Sequence, residues 1–173
     1  MRILSILLLV IFSYSAMSQI KSGFPLTKFD KVVIYDYESP RAGYPSIVDP
    51  KGQLTTSIKR QVQLDQSAID EMNTKLIDKK SYGNNAAMCF TPHLGIVYYL
   101  QNRIVGHVSV CLDCNILRSS FNIPAQNQNK VGEGDNAYYL GEGLSKSFRQ
   151  FLNELLKKYN FSHQIKEGSA FDQ

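Results

Sequence analysis

The chain has no tryptophan and only three cysteines in 173 residues. Three are too few for the disulfide lattice that holds small secreted scaffolds together without a core. Charge of one sign is also scarce. Nineteen Lys and Arg against fifteen Asp and Glu leave a formal +4, far from the basic stripe with which a nucleic-acid binder displaces counterions. No nucleic-acid partner is expected. Beyond Phe12 no apolar run approaches the ~20 residues that cross a bilayer. What is present is 43% hydrophobic residues, with ten Tyr and nine Phe. That content suits one globular domain and excludes wholesale disorder.

The N-terminal segment reads as an export signal. Arg2 supplies a positive charge, Ile3 to Phe12 is nearly unbroken Ile, Leu and Val, and Ser13 to Ser18 is small and polar. Ala16 and Ser18 place small side chains three and one residues before a cut ahead of Gln19, as signal peptidase requires. The apolar run is too short for a membrane anchor, and no Cys follows it to carry a lipid. The expected organisation is a cleaved signal over residues 1–18, one α+β domain over 19–160 and a polar C-terminal tail over 161–173. After cleavage no membrane span is expected, and the location is periplasmic or secreted.

Periodicity then sets the expected elements. Lys31 to Tyr37 is β-branched and aromatic, a strand. Pro40, Gly43, Pro45, Pro50 and Gly52 mark a long irregular loop, a candidate contact surface. Ile58, Val62 and Leu64 alternate with polar residues, a strand with one wet face that Arg60 places near an edge. Ser67, followed by Asp70 and Glu71, predicts the start of a helix that buries Ile69, Met72, Leu76 and Ile77. Tyr82-Gly83-Asn84-Asn85 predicts its stop. Met88–Thr91 with Leu94–Leu100 predicts an interrupted strand, and Arg103–Leu112 its hairpin partner through a Gln101-Asn102 turn. Asp135–Leu140 suggests a further short strand. Ser145 caps a second helix with Phe148, Phe151, Leu152, Leu155, Leu156 and Tyr159 on one stripe; Lys146, Arg149, Lys157 and Lys158 read as its solvated face. The expected fold is α+β: a mostly antiparallel sheet of about four strands with two helices packed on one face, in the order β-β-α-β-β-α.

The cysteines carry most of the legible chemistry. With Leu100 opposite Arg103, an unbroken ladder brings Cys89 directly opposite Cys114, and in an oxidising compartment these two are expected to form a disulfide. Cys111 is the alternative partner of Cys89 if Pro92 makes a bulge, and a Cys111–Cys114 bond needs the strand to turn after Cys111. Cys111-Leu112-Asp113-Cys114 has the spacing of thiol oxidoreductases, but it ends a strand where those enzymes begin a helix that lowers a thiol pKa. Zinc held by Cys89, Cys111, Cys114 and His93 is a further alternative. His107 reads as a structural strand residue, and Ser109 and Asp113 do not complete a triad with it. Gly141 to Ser147 lacks phosphate-loop spacing, and Glu133, Asp135 and Glu142 read as solvated loop acids. No cofactor and no catalytic residue is expected.

Cys89-Phe90-Thr91-Pro92-His93-Leu94-Gly95-Ile96-Val97-Tyr98-Tyr99, followed by Val110-Cys111-Leu112-Asp113-Cys114-Asn115, resembles a family of small exported Bacteroidota proteins of uncharacterised function. Its pattern is C-x-x-P-x-x-G-I-V-x-Y leading into a hairpin that ends I/V-C-x-x-C-N. The resemblance implies export and a small α+β domain, and it brings no activity. The expected function is therefore a non-catalytic module that binds a protein or an envelope ligand, for which an inhibitor- or immunity-type role suits the size. The alternative is a thiol- or zinc-dependent envelope enzyme centred on the three cysteines.

Overall fold

The computed structural model describes residues 24–26, 28–39, 45–165 and 171; the expected signal segment lies outside them. Strand β1 (Lys31–Tyr37) is followed by β2 (Ile58–Gln63), helix α1 (Gln66–Ile77), β3 (Tyr82–Asn84), β4 (Leu94–Leu100), β5 (Arg103–Cys111) and β6 (Ile116–Ser119). Then come β7 (Asn129–Val131), β8 (Tyr138–Leu140), β9 (Gly143–Leu144) and helix α2 (Lys146–Lys158). Seven strands form one antiparallel sheet in the order β2-β1-β4-β5-β6-β8-β7, and β3 pairs with β9 in a second sheet. This corrects the expected four-strand sheet and its β-β-α-β-β-α order. The short strand suggested over Asp135–Leu140 is present as β8. The added strands β3, β6, β7 and β9 are two to four residues long, too short to display a clear alternation. They exist because a partner supplies their hydrogen bonds.

The longest apolar runs occupy the middle of the sheet, where both faces are covered. Val32, Ile34, Ile96, Tyr98, Val108 and Val110 face a core shared with Met72 and Leu76 of α1 and with Phe148 and Leu152 of α2. Val33, Tyr35, Val97 and Tyr99 face the opposite side, where Ile47 and Val48 cover them. Ile47 and Val48 of the Pro/Gly loop expected as a contact surface thus form a structural plug, while Lys51, Gly52 and Gln53 at its tip are exposed. Ile47 is fully buried, and its N–H donates to Ser109 Oγ at 2.9 Å. Gly95 makes room for it: a Cβ there would lie 2.5 Å from Ile47 Cγ1.

Bulges adjust the ladders. Asp36 opposes Arg60 but Tyr37 opposes Ile58, so Lys59 is the extra residue and Ile58 crosses to the back face. Ile58 packs with the Tyr37 cluster while Val62 packs with the helices. The expected single wet face is therefore broken, although β2 is an edge strand with Arg60 exposed. Helix α1 is capped by Asp65, whose carboxylate accepts from Ala68 N–H at 2.8 Å, two residues before the expected Ser67. It ends at Ile77, and the segment expected as its stop is β3. Ser145 does cap α2.

Gly95→Ala forces Cβ against a residue that cannot retreat, and an overpacked core loses about 1–3 kcal/mol. Ile47→Ala costs about 2–5 kcal/mol by leaving a cavity. Because the second change relieves the first, urea denaturation of the double variant should show less than the sum of the two losses.

Candidate functional site: the cysteine corner and the rim beside it

The hairpin of β4 and β5 turns at Gln101 and Asn102, both with positive φ (51° and 62°), the backbone of a two-residue hairpin turn matched to strand twist. Leu100 opposes Arg103 as expected. Tyr99 then opposes Ile104 while Tyr98 opposes Gly106, so Val105 bulges and every later pairing moves by one residue. Moreover, β4 begins only at Leu94 and β5 ends at Cys111. Cys89 and Cys114 are therefore not ladder partners.

They meet by another route. After Cys111 the chain turns through Leu112, Asp113, Cys114 and Asn115 into β6, with Cys111 opposite Ile116. Asn115 takes the left-handed conformation at φ 56°, which Asn tolerates better than most residues. Cys111 and Cys114 lie within this turn at disulfide distance, 2.17 Å between sulfurs. The irregular segment before β4 runs past the turn, fixed by Ala87 N–H donating to Cys114 O at 2.9 Å. That brings Cys89 Sγ to 2.6 Å from Cys114 Sγ. The bonded pair is thus Cys111–Cys114 and not the expected Cys89–Cys114, and Cys89 is free and exposed. Cys111 and Cys114 are fully buried. The backbone N–H of Cys114 points at Cys111 Sγ, 3.2 Å away.

A buried cation supports the turn from beneath. Arg149 of α2 is fully buried, against the expectation of a solvated face. Its guanidinium donates to Leu112 O and, at 3.2 Å, to Asn115 Oδ1. Asn115 Nδ2 in turn donates to Asn85 O at 2.7 Å and Leu144 O at 3.0 Å. The signal for Arg149 was in the sequence: it stands three residues before Leu152 and seven before Leu156, on the margin of the apolar stripe.

Beside the cysteines lies a second cluster. The end of β1, the start of β4 and the end of β5 share one rim of the sheet because neighbouring strands run antiparallel. Glu38, His93 and Asp113 follow from that order, and His163 joins them from the segment after α2. That segment, expected as a polar tail, begins with buried Phe161, and Ser162 Oγ donates to the buried Asp36 Oδ1 at 3.1 Å. His93 and His163 stack with ring centroids 3.9 Å apart. His163 Nε2 is 2.9 Å from Asp113 Oδ2, and His93 Nδ1 is 3.2 Å from Tyr37 O and 3.4 Å from Glu38 Oε2. Burial, and next the neighbouring His163, hold the His93 pKa below its ordinary value. Lys59 beside Glu38 holds that carboxyl below its ordinary range.

His93 therefore groups with Asp113 and His163, while Cys89, Cys111 and Cys114 form a separate group; the Cys₃His set weighed as an alternative is not assembled. Glu133, Asp135 and Glu142 do not come together among the described residues. His107 lies on the back face of β5, and burial alone pushes its pKa down to about 4. No family model, no curated protein and no solved structure matches this chain.

Arg149→Met leaves Leu112 O and Asn115 Oδ1 without their donor in a dry interior, and should cost about 2–4 kcal/mol in urea denaturation. A second prediction concerns acid. The unfolded chain protonates His107 near 6.5 while the folded chain resists until about 4. Stability is full above the higher value and falls through this window, by up to about 3 kcal/mol. His107→Gln should remove that part of the pH dependence, read as the difference between wild-type and variant urea midpoints at pH 7 and pH 4.5.

Proposed function

We propose that this chain is an exported domain that carries out thiol–disulfide exchange with a protein partner, with Cys89 as the attacking thiol. The observation that carries the reading is the 2.6 Å approach of the exposed Cys89 sulfur to Cys114, which is itself paired with Cys111. The Cys89 thiol gives its proton to solvent, and the thiolate attacks Cys114 Sγ. The Cys89–Cys114 bond forms, the Cys111–Cys114 bond breaks, and the electron pair leaves on Cys111, where the Cys114 N–H is placed to stabilise it. The buried disulfide thereby reaches the surface at Cys89. Two thiolates of a partner can then displace it in turn; the partner is oxidised to a disulfide and Cys89 and Cys114 are reduced.

A bracing role is the weaker account of the Cys111–Cys114 bond. It closes so short a loop, with a sequence separation of 3, that loop entropy contributes only about 2 kcal/mol. The turn is already held by Arg149 and Asn115. The exported location rests on the signal-like residues 1–18, and export would keep the disulfide oxidised.

The second reading is the binding module without chemistry. It is favoured by Met88, fully exposed next to Cys89, and by Arg118, whose guanidinium lies 3.9 Å from the Phe90 ring centre and 4.5 Å from that of Tyr138. Met, Arg and aromatic side chains are enriched at interfaces. The two readings share this corner and differ in whether bonds are exchanged there.

Disulfide mapping of the oxidised mature protein should find both Cys111–Cys114 and Cys89–Cys114 linked peptides. Cys89→Ser should leave only the former and slow reduction by a dithiol peptide at least about tenfold, since the buried sulfurs are then the only targets. An unchanged rate in the variant would sink the exchange reading and leave the binding one.

A further inference from the structure

We propose that His93, His163 and Asp113 form a binding site for a divalent transition ion of the zinc class, distinct from the cysteines. One ligand atom from each of the three lies within 4.8 Å of the other two. Imidazole and carboxylate together are the donor set that zinc and its neighbours take.

Three details go beyond proximity. His163 Nε2 is sealed from solvent and makes no hydrogen bond, although Asp113 Oδ2 is 2.9 Å away. Two facing donors at that separation stand a little closer than one edge of a tetrahedral shell, about 3.3 Å when metal–ligand bonds are about 2.0–2.1 Å, so a small parting of the two admits an ion. Next, His93 Nδ1 faces Tyr37 O at 3.2 Å and Glu38 Oε2 at 3.4 Å. These acceptors keep the proton on Nδ1 and leave Nε2 its lone pair, the outer-sphere arrangement that orients metal-bound histidines. Finally, the ligands come from separate parts of the fold that are individually fixed. His93 N–H donates to Val110 O, Asp113 belongs to the turn held by Arg149, and His163 follows Ser162, which is tied to Asp36. The backbones that carry the ligands are fixed, and binding requires the stacked rings to splay.

Three protein ligands leave a fourth position open to water or to a ligand of the ion. Asp113 lies between Cys111 and Cys114, so the same turn carries a metal ligand and the disulfide.

The test uses oxidised mature protein and Zn²⁺ alone, in calorimetric titration and in thermal melting with and without chelator. Wild type should bind about one ion per chain and melt at a higher temperature with it. His163→Gln lies outside every helix and strand. It and Asp113→Asn should each weaken binding at least about tenfold and lose the melting shift, while melting like the wild type in chelator. Cys89→Ser, which removes the proposed exchange, should bind the ion as wild type does. Absence of binding by the wild type would overturn the proposal. So would binding that survives both rim substitutions and is lost in Cys89→Ser, since the cysteines would then be the site. The exchange reading and the metal site thus fail in different measurements.

Discussion

The turn from Cys111 to Asn115 stands on one buried guanidinium. Arg149 reaches from α2 across the core and gives its hydrogens to Leu112 O and Asn115 Oδ1, acceptors that a β-hairpin of this shape leaves pointing inward. An arginine suits the place because a rigid fork of donors can satisfy two acceptors at once and never deprotonates. Asn115 then passes the constraint on, donating to Asn85 and Leu144. The segment that carries Cys89, the strand that precedes α2 and the cysteine turn are thereby locked together. Remove the cation and three chain segments lose a shared anchor.

Above that anchor, the sheet decides what meets what. Antiparallel neighbours place the end of β1 and the start of β4 on the same rim as the end of β5, so Glu38, His93 and Asp113 become neighbours despite their distance in the chain. The sheet can do this reliably because both faces of its middle strands β1 and β4 are buried. Helices α1 and α2 cover one side, and the Ile47 plug, admitted by Gly95, covers the other. A strand with two dry faces cannot slip by one residue without exposing a full set of apolar side chains.

Legibility followed the length of each element. The runs of β1 and β4, the Gln101-Asn102 turn and the Ser145 cap of α2 all stand in the sequence with their own local signals, and the structure has them there. Of the short strands only β8 carried such a signal, in Asp135–Leu140. The cysteine pairing depended on a ladder that one bulge at Val105 displaced; the neighbouring Gly106 is the one local mark of it, and a glycine inside a strand serves close packing as often as a bulge. Arg149 is subtler: its place on the edge of the apolar stripe was readable, but only the inward carbonyls of the turn give a charge reason to be dry. His163 was hidden for another reason, since it lies in a polar stretch with no periodicity and is brought to His93 through the buried Asp36 and Ser162.

The sequence alone determined that a single apolar core forms, that long strands and two amphipathic helices build it, and that Cys111 and Cys114 stay close, because three residues of chain permit nothing else. These are local matters of periodicity, capping and tether length. Only the tertiary structure decided that Cys89 comes to the same place, that His93 groups with His163 and Asp113 rather than with the cysteines, and that Ile47 and Val48 from a loop rich in Pro and Gly become part of the core. Each of those depends on a register or a docking contact between segments far apart in the chain, and the free energy that selects them resides in no single segment.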